Sequence, residues 1–280
     1  MGPHVLKKSS RVLPGFTLSL GLSVFYLSLI VLLPASTLVL QAAEMSLKEF
    51  FQVVTDPRLM AAYKVTFAGA AIASILNAIF GLLMAWILVR YEFPGRRLID
   101  SLMDLPFALP TAVAGLTLAA LFAHNGWVGQ WFDVAGIKIS YTFYGIILAM
   151  VFTSIPFVVR AVQPVLEDLS EEYEEAAASL GANKAQIFFR IVLPHIGPAL
   201  TIGTALSFVR SLGEFGAIIF IAGNMPYATE VISLMIFTLL GEYNFPAASA
   251  VALVILFFSL VFLMLIQLVQ SYYAKRYKSV

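Results

Sequence analysis

Five stretches of this 280-residue chain run without a single Asp, Glu, Lys or Arg: 16–41, 65–89, 105–123, 141–159 and 245–269. Each has the roughly 17–25 residues that a helix needs to cross the hydrocarbon core of a bilayer. A sixth stretch, 196–222, is similarly apolar but holds two charges, Arg210 and Glu214. In lipid the backbone must satisfy its own N–H and C=O groups, which leaves helices or closed barrels, and barrel strands would read as alternating segments of about ten residues. The expected fold is all-α: a polytopic membrane protein with six transmembrane helices forming a single domain over residues 1–280. Composition agrees, since 60% hydrophobic against 12% charged residues and a mean hydropathy of +0.91 lie outside the range of soluble domains.

Orientation follows from the 17 basic residues. With the N-terminus in the cytoplasm, the inner side holds twelve: Lys7, Lys8, Arg11, Arg90, Arg96, Arg97, Arg160, Lys184, Arg190, Lys275, Arg276 and Lys278. The outer connections hold four, Lys48, Arg58, Lys64 and Lys138, and Arg210 falls inside a span. Basic residues collect on the inner side of membrane proteins, so both termini are expected to be cytoplasmic. Trp127, Trp131, Tyr141 and Tyr144 outside, and Tyr272, Tyr273 and Tyr277 inside, suit the aromatic belt at the two interfaces.

The first span follows basic residues as a secretory signal does. Its apolar run of 26 residues exceeds the ~7–15 of a cleaved signal, so it is expected to be a retained helix. The chain has no cysteine, which removes disulfides and thiolate chemistry, and its histidines, His4, His124 and His195, lack metal-ligand spacing. No metal or other cofactor is expected. No G-x-x-x-x-G-K-[ST] loop is present, so any ATP must be hydrolysed by another chain. A net charge of +1 gives no basic surface for nucleic acid.

One cytoplasmic connection stands apart. Residues 163–194 crowd Glu167, Asp168, Glu171, Glu172, Glu174 and Glu175 into nine positions. Ser170 is placed to cap a helix, the acidic residues suit its first turn, and Ala176, Ala177 and Ala178 favour its continuation. Gly181 ends it. A second helix can restart at Asn183, with Ile187, Phe188, Ile191 and Val192 as an apolar stripe, until Leu193 and Pro194 stop it at the next span. Such a helix-Gly-helix suits docking in a partner's groove, although its composition also fits a solvated loop that merely joins two spans.

The residues of this loop resemble a known family. Glu175-Ala176-Ala177, three residues, Gly181, nine residues, then Ile191-Val192-Leu193-Pro194 reproduce the EAA signature of binding-protein-dependent ABC importer permeases, of the type I importer kind. The resemblance implies that Glu175, Ala176, Ala177, Gly181, Ile191, Leu193 and Pro194 form the element that couples to a cytoplasmic ATPase. Leu102 to Phe122 (LMDLPFALPTAVAGLTLAALF), Arg210 to Asn224 (RSLGEFGAIIFIAGN) and Arg11 to Ser23 (RVLPGFTLSLGLS) are similar to the sulfate/thiosulfate permeases of the CysT type. Permeases for molybdate or tungstate look alike across the second of these stretches. The resemblance implies an inner-membrane permease of a bacterium, working with a sister permease, two ATPase subunits and a periplasmic sulfate-binding protein.

Two places depart from a plain span. Pro106 and Pro110 remove backbone donors and should break or kink the third span, where Thr111, Gly115 and Thr117 offer hydroxyls and close backbone approach. Broken helices at membrane depth face protein or a water-filled path, so this segment reads either as a packing kink or as part of a translocation route. Arg210 and Glu214 stand at i and i+4, and a mid-bilayer charge costs at least ~2.5–3.5 kcal/mol on insertion scales. They read either as a salt bridge that holds the bundle or as a path element, with Arg210 attracting a dianion and Glu214 keeping its binding weak. A secondary transporter or channel also accounts for six spans but has no use for the EAA loop. An intramembrane enzyme would need convergent catalytic groups that the spans lack.

Overall fold

The computed structural model describes residues 16–277, apart from the side chains of 269 and 271–277. Lys7, Lys8, Arg11, Lys278, His4, residues 11–15 of the N-terminal stretch and the side chains of Tyr272, Tyr273, Lys275, Arg276 and Tyr277 therefore lie outside the described residues. Within them every element is helical. In chain order these are α1 (Phe16–Ala42), α2 (Leu47–Val54), α3 (Pro57–Arg90), α4 (Arg96–Met103), α5 (Leu105–Ala108), α6 (Thr111–Leu121), α7 (Gly129–Val134) and α8 (Phe143–Glu167). They continue with α9 (Glu172–Ser179), α10 (Lys184–Leu212), α11 (Ile218–Ile221), α12 (Ile232–Gly241) and α13 (Phe245–Tyr277).

Five of these, α1, α3, α8, α10 and α13, contain stretches long and apolar enough to cross a membrane. The stretch 105–123 is divided into α5 and α6 at Leu109 and Pro110, where the backbone is extended, as the two prolines lead one to expect. The stretch 196–222 is also divided: α10 ends at Leu212 and α11 begins at Ile218. The apolar helix α12 has only 10 residues, too few to cross by the usual count.

Helices α3, α8 and α10 form the centre. The buried face of α3 is Thr66, Gly69, Ala70, Ala73, Ser74, Asn77, Gly81 and Ala85, small residues at helical spacing that let backbones approach where lipid gives no hydrophobic drive. At its middle the Asn77 amide donates to Ser154 Oγ at 2.8 Å on α8 and to Ser207 Oγ at 3.1 Å on α10. Ser154 in turn lies 3.1 Å from Ser211 Oγ. These bonds fix the register of three helices, each contributing about 0.6 kcal/mol by the average for membrane interiors.

Two helices pass a proline by way of a widened turn. In α1 a wider turn over Ser28–Leu32 precedes Pro34, with Leu33 N–H donating to the Ser28 carbonyl. In α10 the same turn over Phe188–Val192 precedes Pro194, with Leu193 N–H donating to the Phe188 carbonyl. The widened ring absorbs the proline's missing donor. The expectation that Leu193 and Pro194 stop the helix is therefore corrected: the second arm of the hairpin and the first part of the expected span 196–222 are one helix, Lys184–Leu212.

Candidate functional site

The hairpin between α8 and α10 follows its residues except at its first cap, where Glu171 and not the expected Ser170 is the N-cap of α9. The Ser170 hydroxyl accepts from the Glu172 N–H at 3.3 Å, and Glu172, Glu174 and Glu175 occupy the first turn of α9, where the helix dipole favours them. Gly181 closes the helix in the left-handed region at φ +88°. Its N–H donates to Ala178 O at 2.9 Å and that of Ala182 to Ala177 O at 3.0 Å, a paired closure that glycine enters without strain. Asn183 restarts the chain with a reciprocal cap: its Oδ1 accepts from Gln186 N–H at 2.9 Å, and Gln186 Oε1 accepts from Asn183 N–H at 2.8 Å.

The two faces of the hairpin are not those the sequence suggests. Of the expected docking stripe, Val192 is fully buried and Ile187 and Phe188 pack against Leu88, Leu166 and Ile196. That stripe anchors the hairpin to the bundle. The outward apolar line is instead Tyr173, Ala176 and Leu180 at i, i+3 and i+7, with Tyr173 62% and Leu180 90% exposed. Glu175 and Ala176 are exposed beside it and Ala177 is half-buried. Ile191 and Leu193 are half-buried and Pro194 is exposed.

Arg90, counted at the sequence level only as an inner charge, fixes the base. Its guanidinium donates to Leu169 O at 3.1 Å and Glu174 Oε1 at 2.8 Å and lies 3.5 Å from Glu171, with its side chain 11% exposed. Trp86, Arg90, Glu174, Lys184 and Phe188 line a cavity of about 480 Å³ between the end of α3 and the hairpin. On the neighbouring side Arg160 of α8 holds Asp104 and Asp100, with ion-pair distances of 2.7 and 2.6 Å. The hydrogen bonds from Arg160 hold the Asp104 carboxyl below its ordinary value.

The two interrupted segments meet in the body of the bundle. A Cβ on Gly115 of α6 would overlap the Ala217 carbonyl, and one on Gly216 would overlap the Thr111 side chain, so the first turns of α6 pack closely on the break before α11, backbone to backbone at Gly115 and Ala217. Pro106 is buried in α5 and Pro110 is exposed ahead of α6. Glu214 lies in the break after α10, not on a shared helix face with Arg210, because the helix ends two residues earlier. Its Oε1 accepts from Ala217 N–H at 3.0 Å. Its Oε2 stands 2.7 Å from Arg210 Nη1 but out of line with the N–H bonds. Glu214 is 1% and Arg210 33% exposed, so the pair has a buried anionic side and an open cationic side. A second such pair, absent from the sequence reading, joins Arg58 to Glu230 through bonds of 2.8 and 2.6 Å. Their separation of 172 positions leaves no local signal by which sequence reasoning could have paired them.

Residues 77–279 match the family described as the binding-protein-dependent transport system inner membrane component. The chain is 62% identical to the sulfate transport system permease protein CysT of Escherichia coli (strain K12) over 268 residues, 96% of this chain and 97% of that protein. It is 44% identical to the protein of the same name from Synechocystis, over 91% of this chain and 89% of that one. Among solved structures, a chain of the bacterial alginate ABC transporter in complex with its alginate pentasaccharide-bound periplasmic protein superposes with a TM-score of 0.74 at 19% identity, over 90% of this chain and 93% of that one. A chain of the MetNI methionine ABC transporter superposes at 0.59 with 16% identity, over 81% and 99%.

Proposed function

The chain belongs to the family of inner membrane components of binding-protein-dependent transport systems, and from that premise we propose that it admits sulfate, and the like-charged thiosulfate, into the cell. It is a multi-pass permease of the cytoplasmic membrane and not itself an enzyme; the ATPase of its system is a separate subunit. The observation that carries the substrate reading is the 62% identity, along nearly the whole length of both chains, to a sulfate permease. The assembly has this chain beside a sister permease, two ATPase subunits on the cytoplasmic face and a periplasmic sulfate-binding protein.

The hairpin is the ATPase-coupling element. Glu175, Ala176, Ala177 and Gly181 form its docking arm, and Ile191, Leu193 and Pro194 lie within α10, where the second arm continues toward the membrane. Its support is physical: a capped, Arg90-fixed helix that presents Tyr173 and Leu180 to solvent gains by burying them in a groove, and a basic rim there would answer the flanking glutamates. The path runs by the two breaks, past Pro106, Pro110 and Thr111 and beside Arg210 and Glu214. Arg210 turns its open side to a passing dianion, while the buried Glu214 carboxylate reduces the net attraction, so that what enters can leave.

Uptake of labelled sulfate by cells lacking this chain, with and without its return, tests the reading. Restored, ATP-dependent uptake that excess molybdate leaves intact supports it. Uptake that molybdate abolishes assigns the chain to larger oxyanions, and uptake without ATP assigns it to secondary transport.

A further inference from the structure

All five N–H groups of Arg160 are engaged. Nε and Nη2 donate side by side to the Asp104 carboxylate at 2.8 and 2.7 Å, Nη1 donates to Asp100 Oδ1 at 2.6 Å and Gln163 Oε1 at 2.7 Å, and Nη2 donates also to Asp100 O at 2.9 Å. A fork held in two directions fixes position in a way that the point charge of lysine cannot. The site is nevertheless open to solvent, with Arg160 32%, Asp100 38% and Asp104 49% exposed. Ion pairs so exposed contribute little to stability. The geometry is far more specific than its contribution to folding would call for.

Its place in the fold supplies a use. Asp104 is the joint between α4 and α5. One turn further, Phe107 of α5 meets Phe157 of α8 edge-on at 5.3 Å, so the chain is strapped to α8 up to the break at Leu109 and Pro110. In the other direction Gln163 donates to Glu167 at 3.2 Å, and Glu167 is the last residue of α8 before the hairpin. A continuous set of contacts thus runs from the hairpin through Arg160 to the segment ahead of the broken helix.

We infer that Arg160 is a positioning residue for transport: it clamps the joint at Asp104 to the helix that carries the hairpin, so that displacement of the hairpin moves α5 and the Pro110 break with it. This rests on the reading of the hairpin as the ATPase-coupling element. The clamp acts as a rigid tie and stays closed as the hairpin moves.

The test uses the complete transporter in liposomes, with ATP hydrolysis and sulfate uptake measured on the same vesicles. Arg160→Gln is expected to keep hydrolysing ATP while sulfate moved per ATP falls at least tenfold, with Arg160→Lys recovering only part. Should Arg160→Gln fail to assemble, Asp104→Asn, which leaves the Asp100 bonds in place, gives the same ratio. In a chain without native cysteine, Asp104→Cys combined with Arg160→Cys is expected to be uncoupled when reduced and recoupled when a short bifunctional thiol reagent bridges the pair. Restoration of folding alone would not follow the reagent in that way. An unchanged ratio in both charge variants, or a lowered ratio that bridging leaves low, overturns the inference. If the unaltered complex fails to move sulfate on ATP, the functional reading fails instead, before any variant is made.

Discussion

At Gly181 the constraint is conformational and not steric: φ is +88° and an added Cβ would meet no atom within 4 Å. Gly181→Ala is therefore expected to cost about 1–2 kcal/mol, the left-handed penalty of an L-residue, all of it local to the hairpin. Faster hydrogen exchange in 176–183 with unchanged exchange in α8 would show it. Arg210 needs a paired experiment, since Arg210→Gln alone strands the buried Glu214 carboxylate and such breakage costs ~3–5 kcal/mol. Arg210→Gln with Glu214→Gln removes both charges; a complex that assembles but loses most sulfate uptake supports the path role, and normal uptake rejects it. Asp104 gives the pH dependence. Its carboxyl is held below the ordinary 3.8 by Arg160, so the folded form gains stability from it above the unfolded value and loses that gain as pH falls through the depressed one. The protection of 104–108, measured as exchange relative to the intrinsic rate at each pH, should stay flat from pH 8 to 5 and fall only in acid below the ordinary carboxylate range.

Among the elements, legibility followed the range of the interaction that decides them. Both arms of the hairpin and the break at Pro110 were readable because caps, glycine and proline act within a few residues. The identity of the outward face was not, because burial of Phe188 and Val192 depends on Leu88, Leu166 and Ile196 arriving from other helices. The continuation of α10 through Pro194 was hidden by a widened turn whose local sequence resembles any other. The contact of α6 with α11 was equally invisible as a pairing: Gly115 reads as a place of close backbone approach, but nothing near it in the chain names Ala217 as what approaches. That contact yields a prediction of its own. Gly115→Ala forces α6 away from Ala217 and is expected to cost about 1–3 kcal/mol by overpacking, lowering the Tm of the purified complex; an unchanged Tm would mean that the two breaks do not bear on each other.

On the scale of the whole molecule, the two ends of the bundle can be told apart by contacts alone. Arg90 meets Leu169 and Glu174, and Arg160 meets Asp104, at the hairpin end. Arg58 meets Glu230, and Tyr141 N–H donates to Ile221 O, at the other. The broken segment passes between these ends: Asp104 is tied at the first, while Ser140 Oγ in the loop ahead of α8 donates to Ala119 O near the end of α6. Counted as a crossing, α5 with α6 joins α1, α3, α8, α10 and α13 to make six, and an even number returns the C-terminus to the side of the N-terminus. With the excess of basic residues on that side, the hairpin end is then expected to face the cytoplasm. The absence of cysteine makes this directly measurable. Single cysteines at Glu92 and Ser179, both exposed at the hairpin end, and at Asn125 and Asn224, both exposed at the other, should divide cleanly under a membrane-impermeant maleimide. In intact cytoplasmic membranes Asn125→Cys and Asn224→Cys react at once, whereas Glu92→Cys and Ser179→Cys react only after lysis. Labelling of Ser179→Cys from outside would separate the hairpin from any cytoplasmic ATPase, and labelling of Asn125→Cys only from inside would mean that α5 and α6 turn back within the membrane.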